Sequence, residues 1–235
     1  MLPAGVEEPL SEYLRAAERS GPAGVEAVYL VGGAALGDFS ERQSNIDLVV
    51  VTAPGIDDPG RAALRRAERT LERVGRPAGV WYATWDDIAD GSPAGRGRGL
   101  DTPLTRALLT EEAIAVTGPD WPVVAFDDTV YRAWCRQRLG EVAAGANGLM
   151  VMRRGVAPLV LEAARLAEGA VTGRVLSKSQ AAEEALALVP RHYRRILNDA
   201  VGYRRGANTS NYWGPFERKA DAREVIRHLV GATAA

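Results

Sequence analysis

At 235 residues the chain is long enough for one large domain or two small ones with real cores. Its net charge of -1 offers no basic surface for nucleic acid, and no apolar run is long enough to span a bilayer. The N-terminal MLPAGVEEPLSEYL lacks a signal pattern, and the one cysteine, Cys135, makes neither a disulfide framework nor a metal site, so a cytoplasmic protein with a packed core thiol is expected. Pro9 to Ser20 reads as an amphipathic helix through Leu10, Tyr13, Leu14 and Ala17, ended by Gly21-Pro22. Two apolar runs follow, Ala27 to Val31 and Ile46 to Val51, with the pattern of neighbouring buried strands. Between them lie Gly32-Gly33, a short turn of helix over Ala34 to Leu36, and Gly37-Asp38 closing it. A glycine pair after a strand lets backbone N–H groups approach a ligand, most often a phosphate. Asp47, opening the second strand, would face the same crevice.

Further along, Asp57 to Gly75 reads as a helix with Ala63, Leu64, Ala67, Leu71 and Val74 on its inner side and Gly75 as its stop. Val80 to Trp85 (VWYATW) reads as a third strand, with Asp86 and Asp87 as turn or N-cap residues beyond it. Asp90 to Gly99 is a glycine-rich loop, Leu100 to Leu109 a short helix, and Glu111 to Thr117 an edge strand. Gly118-Pro119 signals a domain boundary, dividing the chain into residues 1–120 and 121–235.

From Asp127 every pattern is helical. Asp127 or Asp128 caps a helix carrying Val130, Tyr131, Trp134, Leu139 and Val142, broken by Gly145 to Gly148. Leu159 to Val171 is apolar nearly all round and reads as the central helix of a bundle, with Pro158 in its first turn and Gly173 at its end. Ser177-x-x-Gln180 is a capping box opening a helix to Leu188. Pro190 starts the next helix, through Tyr193, Ile196, Leu197 and Val201 to Gly206. Asn208 to Gly214 is a loop, and Pro215 starts a last helix with Phe216, Ile226 and Leu229 inside.

The stretch YLVGGAALGDFSERQSNIDLVVVT, Tyr29 to Thr52, resembles the nucleotidyltransferase superfamily, in the branch of the aminoglycoside (streptomycin/spectinomycin) adenylyltransferases. That family's pattern is a strand, Gly-Ser, a short helix, and Ser-Asp-x-Asp opening the next strand. Here Gly32-Gly33 and Ser44-Asn45-Ile46-Asp47 stand in those places, so the serine is Gly33 and the first aspartate is Asn45. ARLAEGAVTGRVLSKSQAA and ALVPRHYRRIL in the helical half carry the same resemblance. It implies an N-terminal mixed sheet with flanking helices, a C-terminal helical bundle, and a ligand cleft between.

The resemblance also assigns roles. It makes Asp47 and Asn45 the catalytic, metal-side pair, with Asp47 the one carboxylate left and metal binding there weak or absent. It puts the family's general base on Gly79, which has no side chain. It makes Gly32, Gly33, Ser44, Arg165, Lys178 and Tyr203 the nucleotide or anion contacts. Lys178 has independent support: a cation on the first turn of a helix opposes the macrodipole unless it shares an anion with the N–H groups there. Pairing of Arg165 with Glu162 or Glu168, three residues away, is the competing reading. Gly145 to Arg154, where the family reads its aminoglycoside, holds no acid and contributes Arg153 and Arg154. A polycation would find no carboxylate there. With Trp81 and Tyr82 these arginines are the candidate substrate-pocket residues, core packing being the alternative role for the two aromatics. His192 and His228 lack metal-ligand spacing and read as structural.

Three functions are consistent with this pattern: a repurposed small-molecule enzyme with a nucleotide or anion pocket and a degraded two-metal centre, a working ATP-dependent adenylyltransferase, and a non-catalytic binding protein. No cofactor is certain; ATP and Mg²⁺ are expected only if nucleotidyl transfer is retained. The expected partner is a small molecule, with oligomeric state open.

Overall fold

In the computed structural model, residues 2–19, 24–73, 78–90, 101–120, 122–146 and 152–233 are described. The expected stops Gly21-Pro22 and Gly75, the loop residues 91–99 and the stretch 147–151 lie outside them. The chain divides into two units, Met1–Phe126 and Asp127–Ala235.

The first unit holds a four-stranded mixed sheet, β1 (Val25–Val31), β2 (Ile46–Thr52), β3 (Ala78–Ala83) and β4 (Ile114–Thr117), in the order β3-β2-β1-β4. β2 runs antiparallel to β1 and parallel to β3, and β4 closes the far edge antiparallel to β1. Side chains alternate between the two faces of such strands. Val28, Leu30, Ile46, Leu48, Val50 and Val80 therefore share one face and are buried there. They pack with Leu10, Tyr13 and Ala17 of α1 (Glu7–Arg19) and Ala67 and Leu71 of α2 (Asp58–Arg73). The opposite face carries Tyr29, Asp47, Val49 and Trp81. There Trp85, on α3 (Trp85–Asp90), meets Tyr29 edge-on at 6.4 Å between ring centroids. Arg106, on α4 (Pro103–Glu111), lies 5.2 Å from the Trp81 ring centroid.

Two local expectations change here. Trp85 belongs to a helix, because Thr84 and Asp87 cap it reciprocally: the Asp87 amide donates to Thr84 Oγ1 at 3.2 Å, and the Thr84 amide to Asp87 Oδ2 at 2.8 Å. The segment after β1 forms a hydrogen-bonded turn and no helix. Leu36 N donates to Gly32 O and Asp38 N to Gly33 O, and Gly37, at φ 66°, turns the chain away after one turn.

The second unit is a helical bundle: α5 (Asp128–Gly145), α6 (Arg153–Thr172), α7 (Lys178–Leu188), α8 (Arg194–Arg204) and α9 (Pro215–Thr233), with a 3-10 turn at Arg191–Tyr193 ahead of α8. α6 packs against each of the other four helices. Its buried positions include Val160, Leu161, Ala163, Ala164, Leu166 and Ala170, so it is the core helix that its composition predicts. The capping signals act as expected. Asp127 Oδ1 accepts from Thr129 N and Val130 N, Ser177 and Gln180 form both halves of a capping box, and Gly173 ends α6 in the left-handed region at φ 74°. Two positions differ. α6 begins at Arg153, so Pro158 lies inside it, past the first turn. Phe216, on the first turn of α9, is 76% exposed, because it lies on the outer face of its helix.

The α5–α6 contact is set by a missing side chain. A Cβ on Gly169 would come within 2.8 Å of both Cys135 Sγ and Tyr131 Oη. Burial pushes the Cys135 thiol up to about 11, which keeps it a neutral packing group. Gly169→Ala should therefore force the two helices apart and cost about 1–3 kcal/mol, an overpacking penalty. Urea unfolding at neutral pH measures it, and unchanged stability would show that α5 and α6 approach less closely.

Candidate functional site

On the sheet unit, the expected motif residues gather at one end of the sheet. β1 ends at Val31, which pairs with Asp47 near the start of β2, and Asp47 pairs in turn with Gly79 near the start of β3. All three lie on the Trp81 face by strand alternation. Gly32 follows directly, at φ 70°, and a Cβ built on it would stand 2.7 Å from Asp47 Oδ2. The carboxylate thus lies against bare backbone at residue 32 and beside a position with no side chain at residue 79. Asn45 is exposed, two residues ahead of Asp47. Ser44 closes its own loop: its hydroxyl accepts from Ser40 N at 2.9 Å, and its amide donates to Ser40 O at 2.8 Å. Among the described residues, no three His, Cys, Asp or Glu side chains group closely enough to hold a metal ion.

Two residues expected to line a pocket are core residues. Tyr82 lies on the other face of β3 from Asp47, packed against the α1–α2 core, and its hydroxyl donates to Leu64 O at 3.3 Å. Trp81 shares the face of Asp47 but is fully buried. The cation over its ring, Arg106, is buried too, and donates to the Ile88 carbonyl at 3.2 Å and to Asp101 at 3.0 Å.

On the helical unit, Arg165 and Lys178 converge on one acid. Arg165 Nη2 donates to both Glu162 oxygens, at 2.8 and 2.7 Å, and Lys178 Nζ lies 3.0 Å from Glu162 Oε2. The anion that offsets Lys178 at the start of α7 is therefore a carboxylate from α6. Glu168 points elsewhere, towards Arg174 at 3.8 Å. Burial alone would raise the Glu162 carboxyl, but the charges and hydrogen bonds of Arg165 and Lys178 overcome it and hold the group at about 2. Burial lowers Lys178, and the Glu162 charge offsets part of that.

Arg153 is held by groups of the helical unit itself. It donates to Asp199 Oδ2 at 3.2 Å and to the carbonyls of Asp199 and Ala207 at 2.9 and 2.8 Å. Its guanidinium also lies over the Tyr203 ring, 5.2 Å from the centroid. Asp199 is 1% exposed; its Oδ1 accepts from Ser210 Oγ and Asn211 N, and Arg218 Nε lies 3.4 Å from Oδ2. This cluster was not anticipated, since its members come from four segments and only the apolar setting of Asp199 within ILNDAV hints at it. Arg154, on the first turn of α6, is exposed.

Comparison with known proteins agrees with this architecture. Residues 136–230 match the family model of the aminoglycoside adenylyltransferase C-terminal domain. The fold is similar to that of spectinomycin adenyltransferase AAD(9) from Enterococcus faecialis, whose crystal structure holds ATP and spectinomycin. The TM-score is 0.71 at 12% sequence identity, over 97% of this chain and 99% of that one. No curated protein sequence matched the chain. The chain thus has an aminoglycoside adenylyltransferase-like nucleotidyltransferase fold. Among the described residues, no helix is long and apolar enough to cross a membrane.

Two predictions follow from this geometry. Gly32→Ala places a methyl group in the left-handed region and against Asp47, and should destabilise the sheet unit by about 2–4 kcal/mol. Adding Asp47→Ala removes the contact but not the backbone strain. The double variant should therefore recover part of the loss in denaturant unfolding; no recovery would mean the carboxylate does not press on residue 32.

The second concerns pH. Glu162 is held from its ordinary 4.5 down to about 2 in the folded protein, so its contribution is fully present above about 4.5 and is lost as pH falls towards 2. Wild type should lose about 2 kcal/mol more than Glu162→Gln between pH 6 and pH 3. Urea titrations of both proteins at pH 6, 4 and 3 would test this, and parallel losses would contradict it.

Proposed function

We propose that the protein is a small-molecule enzyme of aminoglycoside-nucleotidyltransferase-like fold, repurposed around a nucleotide or anion pocket and a degraded two-metal centre. The observation that carries this is the register of β2 on β3, Asp47 beside Gly79. Nucleotidyl transfer with hard metal ions needs at least two carboxylates and a base within hydrogen-bond reach of the attacking hydroxyl. Of the motif positions only Asp47 is a carboxylate, Asn45 offers a neutral amide and residue 79 has no side chain, and among the described residues no three His, Cys, Asp or Glu side chains group to hold a metal ion. This donor set does not fit a two-metal centre, so no step is assigned to metal.

Nucleotide or anion binding is supported by the opposite feature, two cations on the helical unit. Arg165 and Lys178 sit where the family resemblance implies nucleotide contacts, and both are well buried, with side chains 13% and 28% exposed. The substrate is an anionic or neutral small molecule: the stretch where the family reads its aminoglycoside, Gly145 to Arg154, holds no acid for a polycation.

A second reading keeps ordinary adenylyl transfer. It is favoured by the near-complete coverage of AAD(9), a spectinomycin adenyltransferase solved with ATP, and by the retention of Asp47. A purely binding protein is the third. Pyrophosphate release from Mg²⁺-ATP with a panel of hydroxyl-bearing acceptors separates the second from the other two.

Calorimetric titration with ATP tests the binding half directly. Lys178→Ala should weaken ATP by about 1–3 kcal/mol, the cost of a lost charge-assisted contact. Chelating Mg²⁺ should leave the wild-type affinity unchanged. Equal affinity in wild type and variant would remove Lys178 from the site, and a large loss on adding chelator would favour adenylyl transfer.

A further inference from the structure

The hydrogen bonding of Arg165 is unusual for a guanidinium facing a carboxylate. Such pairs ordinarily use two nitrogens in a fork. Here both Glu162 oxygens accept from one nitrogen, Nη2. Nε, which shares an edge of the guanidinium with Nη2, is buried and has no hydrogen-bond partner among the described residues. A buried donor left unmade costs stability, and it persists where something else is gained. Lys178 Nζ completes the arrangement from α7, 3.0 Å from Glu162 Oε2. The Glu162 side chain is 19% exposed, so it is not sealed in the core.

We propose that Glu162 is an internal stand-in for a phosphate group: it occupies the Arg165–Lys178 pair when no ligand is bound, and a polyphosphate displaces it onto the Nε–Nη2 edge. This deepens the nucleotide-or-anion function above and rests on it. With Glu162 in place, the three groups carry a net charge of about +1; with Glu162 swung out, the pair presents about +2. A singly charged anion gains no more from the pair than Glu162 does, so it does not displace it. A polyphosphate brings more charge and can satisfy Nη2, Nε and Lys178 together. Glu162 thereby sets a threshold of charge and selects for polyphosphate-bearing ligands.

The test uses the full chain, with inorganic tripolyphosphate, ATP and acetate as probes in calorimetry. Melting curves confirm that each variant is folded. Glu162→Gln keeps the shape and removes the charge, and should bind tripolyphosphate about tenfold more tightly than wild type. Glu162→Asp keeps the charge but shortens the reach, and should fall between them. Acetate should not bind wild type measurably. Lys178→Met added to Glu162→Gln should abolish the gain, which locates it at this pair.

Unchanged or weaker tripolyphosphate binding in both folded variants would overturn the proposal, since Glu162 would then position the cations or stand by. Wild type that binds ATP, with no gain in either variant, removes the stand-in alone. Wild type that fails to bind ATP, with the tripolyphosphate gain intact, removes the nucleotide function and keeps the stand-in.

Discussion

At the end of the sheet that carries the motif, the constraint is the distance between the backbone of Gly32 and the carboxylate of Asp47. A Cβ on residue 32 would lie 2.7 Å from Oδ2, and the residue's φ of 70° disfavours any side chain there in any case. The exit of β1, the first turn after it and the entry to β2 must therefore all hold their places for Asp47 to keep its own. Pairing of Asp47 with Val31 on one side and Gly79 on the other fixes the carboxylate across three strands. The result is a rigidly placed acid flanked by two positions without side chains. It can accept hydrogen bonds from a ligand that comes close, but it has no neighbouring acid on β3 with which to share a metal ion.

The helical unit solves a different electrostatic problem. Two cations buried on α6 and α7 would repel one another and lose hydration. Glu162 makes their burial tolerable, and the price is a carboxyl kept ionised far below its usual range. One residue thus answers for both the stability of the α6–α7 contact and the charge that an incoming anion would meet. An unpaired Arg165 would be costly to bury, whereas one paired through a single nitrogen retains recognition capacity on its Nε.

Much of this was legible from local chemistry. β-branched runs bounded by glycine located β1 and β2, Ser177-x-x-Gln180 located the start of α7, and Gly173 the end of α6. The Gly32–Asp47 stretch was recognisable as a motif because both partners lie within one strand–turn–strand segment. Long-range partners were not legible. Lys178 meets Glu162 across sixteen positions and Arg153 meets Asp199 across forty-six, so neither pairing leaves a periodic trace. Tyr82 is a core residue because alternation along β3 turns it to the face away from Asp47. Trp85 was read as strand because its aromatic ring suits a sheet, while the Thr84–Asp87 cap that places it on a helix is a side-chain effect spread over four residues. Phe216 was expected inside on hydrophobicity alone, although a residue at the very start of a helix has few neighbours to cover it.

The buried Asp199 has a consequence for how the helical unit moves. Its carboxylate gathers Arg153 from α6, Ser210 and Asn211 from the loop that follows α8, and Arg218 from α9. If α9 lifts away, Arg218 leaves and the remaining groups must share a charge that is 1% exposed. If the loop opens, Oδ1 loses both its donors. Neither segment can fray by itself without stranding ionised groups away from water. The last thirty or so residues are consequently bound to the start of the central helix in a single cooperative unit, whose amides should open to solvent together, on the timescale of the bundle's own unfolding.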